Sequence, residues 1–183
     1  SLTETEETDL TGGDGTKKSK GFLSYERSTE ADKVRAFGKL QKLEVAGADK
    51  ITADTLIDLF YTLHSKYRKN AVWVMSSTIA AALQKLKNNR DFIWRDGLTV
   101  DAPSSLLGRP VYFLETMPAS GANKPVVAFG DFKRGYFIVD HETGVRTRPD
   151  NITEPGFYKV HTDKYLGGGV VDSNAIKFIE VTA

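Results

Sequence analysis

The chain has 183 residues, 25 lysines and arginines against 24 aspartates and glutamates, a formal net charge of +1 and no cysteine. This length is enough to bury a core without metals or disulfides, and the cysteine count excludes a disulfide framework and a thiolate metal site. Because no apolar run approaches the roughly 18 residues of a membrane span and the first residues are polar, the sequence predicts neither a membrane segment nor a secretory signal.

The first part of the sequence predicts short strands followed by a helix. Residues 1–20 are polar and rich in glycine, and strand-like runs follow at residues 21–25 and 39–45, on either side of a charged, exposed excursion. Thr52 is suited to cap a helix with apolar side chains three to four residues apart, which ends near residues 68–70. This helix carries Leu56, Leu59, Phe60, Leu63 and Tyr67 on one face.

The middle of the sequence predicts a strand, a helix and a second strand. The strand is a continuous apolar run at residues 71–75, and the helix spans residues 78–86 with Ser76 or Ser77 as its cap. The second strand follows at residues 110–114.

The last part of the sequence predicts mainly strands. Residues 126–140 are typical of a β-hairpin with a basic tip, and residues 157–166 predict a long strand that is exposed on at least one side. The glycines at 167–169 suggest a tight corner, and residues 176–181 predict a final strand. Helices interspersed with mostly non-parallel strands indicate an α+β fold.

The candidate catalytic and metal-binding residues form no catalytic pattern. The imidazoles are His64, His141 and His161, and a structural role is favoured for His64 on the charged flank of its helix. Asp140, His141 and Glu142 are metal-ligand types, but adjacent residues on a strand point to opposite faces, which favours a turn. The sequence predicts no catalytic, cofactor or metal site.

Two further patterns are weak signals for phosphate or nucleic-acid binding. The glycine-rich residues 12–18 lack both the G-x-x-x-x-G-K-[ST] pattern and a preceding apolar strand, so a flexible turn is favoured. The basic residues between positions 17 and 50 are offset by acidic ones and are not interleaved with aromatic side chains, which favours a solvated face.

Several motifs occur in an order that resembles one family. They are GDGT and GFLSY within residues 13–25, a helix-like run at 51–71, VWVMSS at 72–77, LLGRPV at 106–111, FGDFKRGY at 129–136 and GGGVVD at 167–172. Each motif alone is weak, but in this order the chain resembles the C-terminal part of tailed-bacteriophage major capsid proteins. The resemblance implies the Hong Kong 97-type capsid fold, an α+β fold with an axial and a peripheral domain.

The resemblance also implies a division of the chain. Residues 49–144 and 168–183 are expected to form the axial domain, a central mixed sheet flanked by helices, and residues 1–48 and 145–167 a truncated peripheral domain. The family's N-terminal arm, extended loop and most of its spine helix are expected upstream of Ser1. Some relatives link subunits covalently through lysine and asparagine. Asp163 lies near the position of the assisting acid, but Asn151 is out of place for the asparagine, so no cross-link is expected.

The function implied by the resemblance is structural and not enzymatic. The expected protein is a phage or prophage major capsid subunit that assembles with itself into hexamers and pentamers of an icosahedral shell enclosing DNA. Assembly would take place in the bacterial host cytoplasm, with a portal, a scaffold and a maturation protease as implied partners. Non-specific contact with packaged DNA on the inner face stays open, and neither a cofactor nor a membrane is expected.

Contacts between copies would join different patches, because closed rings use heterologous contacts. Arg146 and Arg148 on one side and Asp150 and Glu154 on the other are the candidate inter-subunit contacts. Two alternatives stay open: an encapsulin-like nanocompartment shell with the same fold, and a small hydrolase or ligand-binding domain. The last requires a polar pocket built around the three histidines.

Overall fold

The structure, a computed structural model, describes residues 2–16, 18–47, 50–84, 94–95, 104–119, 121–150 and 158–182. Its helices are α1 (Leu2–Gly12), a 3-10 turn (Phe22–Ser24), α2 (Ala53–Thr62), α3 (Ser65–Arg68), α4 (Ser77–Gln84) and α5 (Phe132–Gly135). Its strands are β1 (Arg27–Ser28), β2 (Leu40–Val45), β3 (Val72–Met75), β4 (Trp94–Arg95), β5 (Ser105–Leu106), β6 (Arg109–Phe113), β7 (Lys124–Gly130), β8 (Tyr136–Asp150), β9 (Lys159–Val170) and β10 (Ile176–Val181).

A mixed sheet forms the centre of the fold, with eight strands among the described residues in the order β1-β2-β10-β7-β3-β6-β5-β4. β10 is parallel to β2 and antiparallel to β7, and β3 is antiparallel to β7 and parallel to β6. All of β10 and all but the first residue of β7 are buried. These central strands therefore lack polar alternation, because both faces of the sheet are covered.

Two apolar clusters cover the two faces of the large sheet. On one face, the rings of Trp73 and Phe129 stack with their centroids 4.1 Å apart, against apolar side chains of α2, α3 and α4. On the other face, Phe22 stacks on Phe178 beside Val74. Trp73 and Val74 enter different clusters because successive side chains on a strand point to opposite faces.

The helix predicted after Thr52 begins as expected but ends early. The Thr52 hydroxyl accepts a hydrogen bond from the amide of Thr55 at 3.3 Å, which satisfies an otherwise unpaired donor at the start of α2. The prediction of one continuous helix to residue 68 is wrong, because Leu63 is extended and His64 begins α3 by accepting from the Lys66 amide at 3.2 Å. Leu63 and Tyr67 nevertheless reach the same core.

The predicted β-hairpin at residues 126–140 is also wrong. β7 already has β10 on one side and β3 on the other, so it has no free edge for β8. After Gly130, the Asp131 carboxylate caps the single turn α5 by accepting from the amide of Arg134 at 3.3 Å. β8 then leaves the large sheet and pairs with β9.

Four further expectations differ from the structure. Residues 22–24 form a 3-10 turn packed on α1, and residues 2–12, predicted only as polar, form α1 itself. Close packing explains the turn, since a Cβ at Gly21 would lie 2.3 Å from the carbonyl of Thr11. The glycines 167–169 lie inside β9 and make no corner, and residues 27–28 form β1 within the predicted excursion.

A cluster of charged side chains links β1 and β2 to β10. Glu180 is buried and accepts from Arg27 Nε at 2.5 Å and from Lys42 Nζ at 2.6 Å. Burial alone would raise the pKa of Glu180, but the hydrogen bonds from Lys42 and Arg27 outweigh it and hold the pKa below its usual value. Residues 40–45, assigned to the peripheral part by the predicted division, thus lie in the large sheet, and the division itself stays a prediction.

Candidate inter-subunit contact surfaces

The two-stranded β8–β9 ribbon, residues 136–150 and 159–170, carries three of the four predicted contact residues: Arg146, Arg148 and Asp150. Hydrogen bonds hold its base to the residues on either side of the 3-10 turn: the Tyr136 hydroxyl donates to the Lys20 carbonyl at 3.1 Å, and the Val170 amide donates to the Tyr25 hydroxyl at 2.9 Å. Burial raises the pKa of Tyr136 to about 12. A Cβ at Gly168 would lie 2.4 Å from the Tyr136 hydroxyl oxygen, so glycine permits this close approach.

Lys164 links the middle of the ribbon to α1 through an ion pair. Lys164 Nζ lies 3.0 Å from Glu6 Oε1 and 3.5 Å from Asp140 Oδ1, and its hydrogen bond to Glu6 raises its pKa. The strand register shifts between Asp140 and Val145, so residues 141–144 bulge out opposite Tyr165. The ribbon beyond the bulge therefore extends past the contacts that hold its base.

The far end of the ribbon gathers charged residues on one face. Arg146 is the strand partner of Asp163 and Arg148 that of His161, and alternation places all four on the same face. Arg148 forms an ion pair with Asp163, and this hydrogen bond holds the pKa of the Asp163 carboxyl below its usual value. The Arg146 guanidinium lies 5.8 Å from the Tyr165 ring centroid.

The predicted contact residues are only partly placed by the structure. Arg146 and Arg148 share a face, as their spacing in one strand requires. Asp150 is paired through its backbone with Lys159, and Glu154 lies outside the described residues. Sequence reasoning missed Asp163 as the carboxylate beside Arg148, because the strand register that brings them together is not visible in the sequence.

The base of the same face is apolar and open. Phe137 and Val139 are each 60% exposed and lie opposite Gly169 and Gly167. Glycine offers no side chain to cover them, which leaves a flat apolar area next to the charged end. The glycine run singled out in the sequence therefore shapes a surface, and does not make a corner.

A second apolar surface is a cavity of about 380 Å³ between α1, α5 and β8. Its lining is mostly apolar and includes Leu10, Phe22, Leu114, Phe132 and Ile138. This volume falls within the range of small-ligand and side-chain pockets. None of the three histidines contributes to the lining.

The histidines do not converge on a polar pocket. His64 begins α3, whereas His141 and His161 lie on the ribbon, where the ring of His141 is 6.1 Å from that of Tyr165. Among the described residues, no group of three or more aspartate, glutamate or histidine side chains is arranged to hold a metal ion.

No helix in the described ranges is both long and apolar enough to span a bilayer.

The sequence matches the phage capsid family over residues 1–181. The chain belongs to this family. The family and its fold are those of a structural protein, which agrees with the order of motifs and with the α+β architecture around a central mixed sheet.

Two solved capsids share the fold of this chain over its whole length. The capsid of an empty GTA particle is 34% identical with a TM-score of 0.84, and the match covers 100% of this chain and 63% of that chain. The capsid of a native GTA particle is 33% identical with a TM-score of 0.84, covering 100% and 62%. Both capsids were computed with C5 symmetry, and this chain spans less than two thirds of the length of either capsid chain.

A more distant match is the holo-SrpI encapsulin complex from Synechococcus elongatus PCC 7942. It is 15% identical with a TM-score of 0.69, and the match covers 98% of this chain and 61% of that chain. At this identity the likeness shows a shared fold alone. A comparison with curated protein sequences gives no significant match.

Proposed function

We propose that this chain is the C-terminal part of a phage-like capsid subunit that assembles with copies of itself into rings and a closed shell. The observation that supports this most is the likeness to the GTA capsid, at 34% identity and a TM-score of 0.84 over the full length of this chain. A capsid solved with C5 symmetry contains fivefold rings of its subunits. By analogy we infer pentamers here, and hexamers where the shell is flatter.

In this proposal the β8–β9 ribbon is a contact arm. Arg146 and Arg148 would face carboxylates of the next copy, with Asp150 and Glu154 as the candidates. Exposed ion pairs of this kind are individually weak, so they would set the register between copies, and apolar contacts would supply most of the affinity. The flat area at Phe137 and Val139 is such an apolar surface on the same face.

The wider assignments follow from the same proposal. Residues 49–144 and 168–183 would form the axial domain near the ring centre, and residues 1–48 and 145–167 would form the peripheral part. The shell would enclose DNA in the host cell, with a portal, a scaffold and a maturation protease as partners. Any contact of the inner face with the packaged DNA would be non-specific, because contacts to phosphates carry no sequence information.

Of the two alternatives, the encapsulin-like shell has the weaker support, because its likeness lies at 15% identity against 34% for the GTA capsid. The hydrolase or ligand-binding alternative required the histidines to converge. Their positions on α3 and on the ribbon do not favour it.

The direct test is to express the full-length subunit, alone and with the products of adjacent genes, and to image the product. We expect closed particles in negative-stain electron microscopy and a fast-sedimenting species in sucrose gradients. A full-length protein that is folded but stays monomeric under every one of these conditions would contradict the proposal. Particles that contain a co-expressed enzyme and no DNA would favour the encapsulin alternative.

A further inference from the structure

The loop between β1 and β2, residues 29–39, presents the two most exposed large apolar side chains of the described residues. Phe37 is 81% exposed and Val34 is 75% exposed. A single exposed apolar residue is ordinary on a protein surface and needs no explanation. These two differ because the loop that carries them is fixed from the inside by buried charges.

Arg35, which lies between them in the sequence, is the main anchor, and its side chain is almost completely buried. Its Nε donates to the Lys39 carbonyl at 2.9 Å and its Nη1 to the Glu30 carbonyl at 3.0 Å, which closes the loop at both ends. Its Nη2 donates to Asp32 Oδ1 at 2.8 Å and to Asn174 Oδ1 at 2.7 Å. The guanidinium thus ties the loop to the turn before β10.

Asp32 and Lys177 form the second anchor. Lys177 is fully buried in β10, and its ammonium donates to Asp32 and, at 2.7 Å, to Gln41 Oε1. The amides of Val34 and Arg35 also both donate to the Ala31 carbonyl at 3.0 Å. Because the conformation of the loop is set before any partner binds, docking of its apolar side chains costs little ordering entropy.

We propose that this loop is a contact point between copies of the chain, with Phe37 and Val34 inserting into an apolar surface of the neighbouring subunit. This rests on the proposed function as a shell subunit. In a closed ring, a projecting patch must meet a different patch of the next copy. The chain offers two apolar receiving surfaces: the cavity between α1, α5 and β8, and the flat area at Phe137 and Val139.

The charges of the loop favour a protein partner. Acidic Glu30 and Asp32 balance basic Lys33 and Lys39, and the guanidinium of Arg35 is turned inward. Nucleic acid and anionic lipid surfaces attract clusters of exposed positive charge, which this loop does not present. An apolar pair on a neutral, rigid loop instead matches the few central anchors that dominate protein interfaces.

The first test compares two double variants of the full-length subunit. Val34→Ser with Phe37→Ser removes the apolar pair, whereas Lys33→Ser with Ala36→Ser changes exposed positions of the same loop and keeps the pair. We expect the first variant to need about tenfold more subunit for half-maximal assembly, and the control to assemble like the wild type. Both should keep the wild-type urea midpoint, because all four side chains are exposed in the single chain.

The second test uses the lack of cysteine in these 183 residues. In the Phe37→Cys variant, a benzophenone maleimide attached to the thiol should form covalent dimers of the subunit in assembled particles upon irradiation, with cross-linked peptides from an apolar surface. Cross-links only to DNA or to another protein would overturn the proposal. Normal assembly of the Val34→Ser, Phe37→Ser variant would also overturn the proposed loop contact, but the wild-type shells seen beside it would still support the proposed function. If the wild type itself fails to assemble, that result counts against the proposed function.

Discussion

Replacing Asp32 by asparagine is expected to make the stability of the chain depend on pH in a way that the wild type does not. Burial lowers the pKa of Lys177 from its ordinary 10.5 to about 8, although Asp32 and Gln41 accept its hydrogen bonds. At about 1.4 kcal/mol for each pH unit, the charged lysine already costs about 3 kcal/mol below pH 8. Without the Asp32 carboxylate, its pKa falls further.

The magnitude at each pH follows from proton linkage. At pH values between the lowered pKa of the variant and about 8, the unfolded variant binds a proton at Lys177 that its folded state does not bind. The wild type binds this proton in both states, so the variant loses about 1.4 kcal/mol of unfolding free energy for each pH unit below 8. The loss from this site therefore grows as the pH falls below 8, and it levels off once the pH falls below the pKa of Lys177 in the variant. The loss of the Asp32–Arg35 ion pair adds a further decrease in unfolding free energy that does not depend on pH in this range.

The assay is urea unfolding followed by the fluorescence of the buried Trp73, from about pH 6 to pH 8.5. The control is the same Asp32→Asn change in a Lys177→Met background, where the pH-dependent part should vanish because no titrating group remains in β10 beside it. A difference between wild type and Asp32→Asn that stays constant from pH 6 to pH 8 would refute the reasoning. It would mean that Lys177 is not held charged by Asp32.

Three further outcomes test the packing and the proposed contacts. Gly130→Ala should lower the free energy of unfolding in urea by about 3 kcal/mol, because its Cβ would lie 2.2 Å from a backbone carbonyl oxygen. Gly12→Ala, which has open space around its Cβ, should raise that free energy by about 0.5 kcal/mol. Equal effects of the two substitutions would contradict the packing around Gly130. Arg146→Glu with Arg148→Glu removes the exposed ion pair of Arg148 with Asp163, so it should lower the free energy of unfolding only slightly. It should also reduce the yield of closed particles of the full-length protein, and a normal yield in electron microscopy would exclude both arginines as contacts. Residues 1–183 alone should be mainly monomeric in size-exclusion chromatography with light scattering, because they span about 63% of the related capsid chain, and closed shells would contradict this.

Local signals predicted those elements whose formation depends on neighbouring residues. The Thr52 cap, the apolar run that became β3 and the final strand β10 are all read from short windows of sequence. The order of motifs went further than any single element, because it predicted the family to which the chain belongs. That step used resemblance, since no residue in the chain marks a capsid by its chemistry.

Predictions failed where the outcome depended on distant partners. β7 and β8 have the composition of a hairpin, but the edges of β7 are taken by β10 and β3, which lie far away in the sequence. The same holds for the candidate contacts, where the partner of Arg148 within the chain is Asp163 across the ribbon. The buried side chains of Arg35 and Lys177 and their shared partner Asp32 gave no signal, because charged residues are ordinarily read as exposed.

The two proposed contact regions differ in rigidity, and this difference suits a shell in which copies meet at slightly different angles. The 29–39 loop is fixed by hydrogen bonds of the buried Arg35 side chain and by the contact between Asp32 and the buried Lys177, so its apolar side chains keep one position relative to the large sheet. The far end of the β8–β9 ribbon extends past its fastenings at Lys164 and Tyr136, and a two-stranded ribbon has little stability of its own. We therefore expect the loop to define a contact that is the same at every position in a ring, and the ribbon to bend where the angle between copies changes. A rigid apolar contact would then supply affinity, and a flexible charged one would adjust the register.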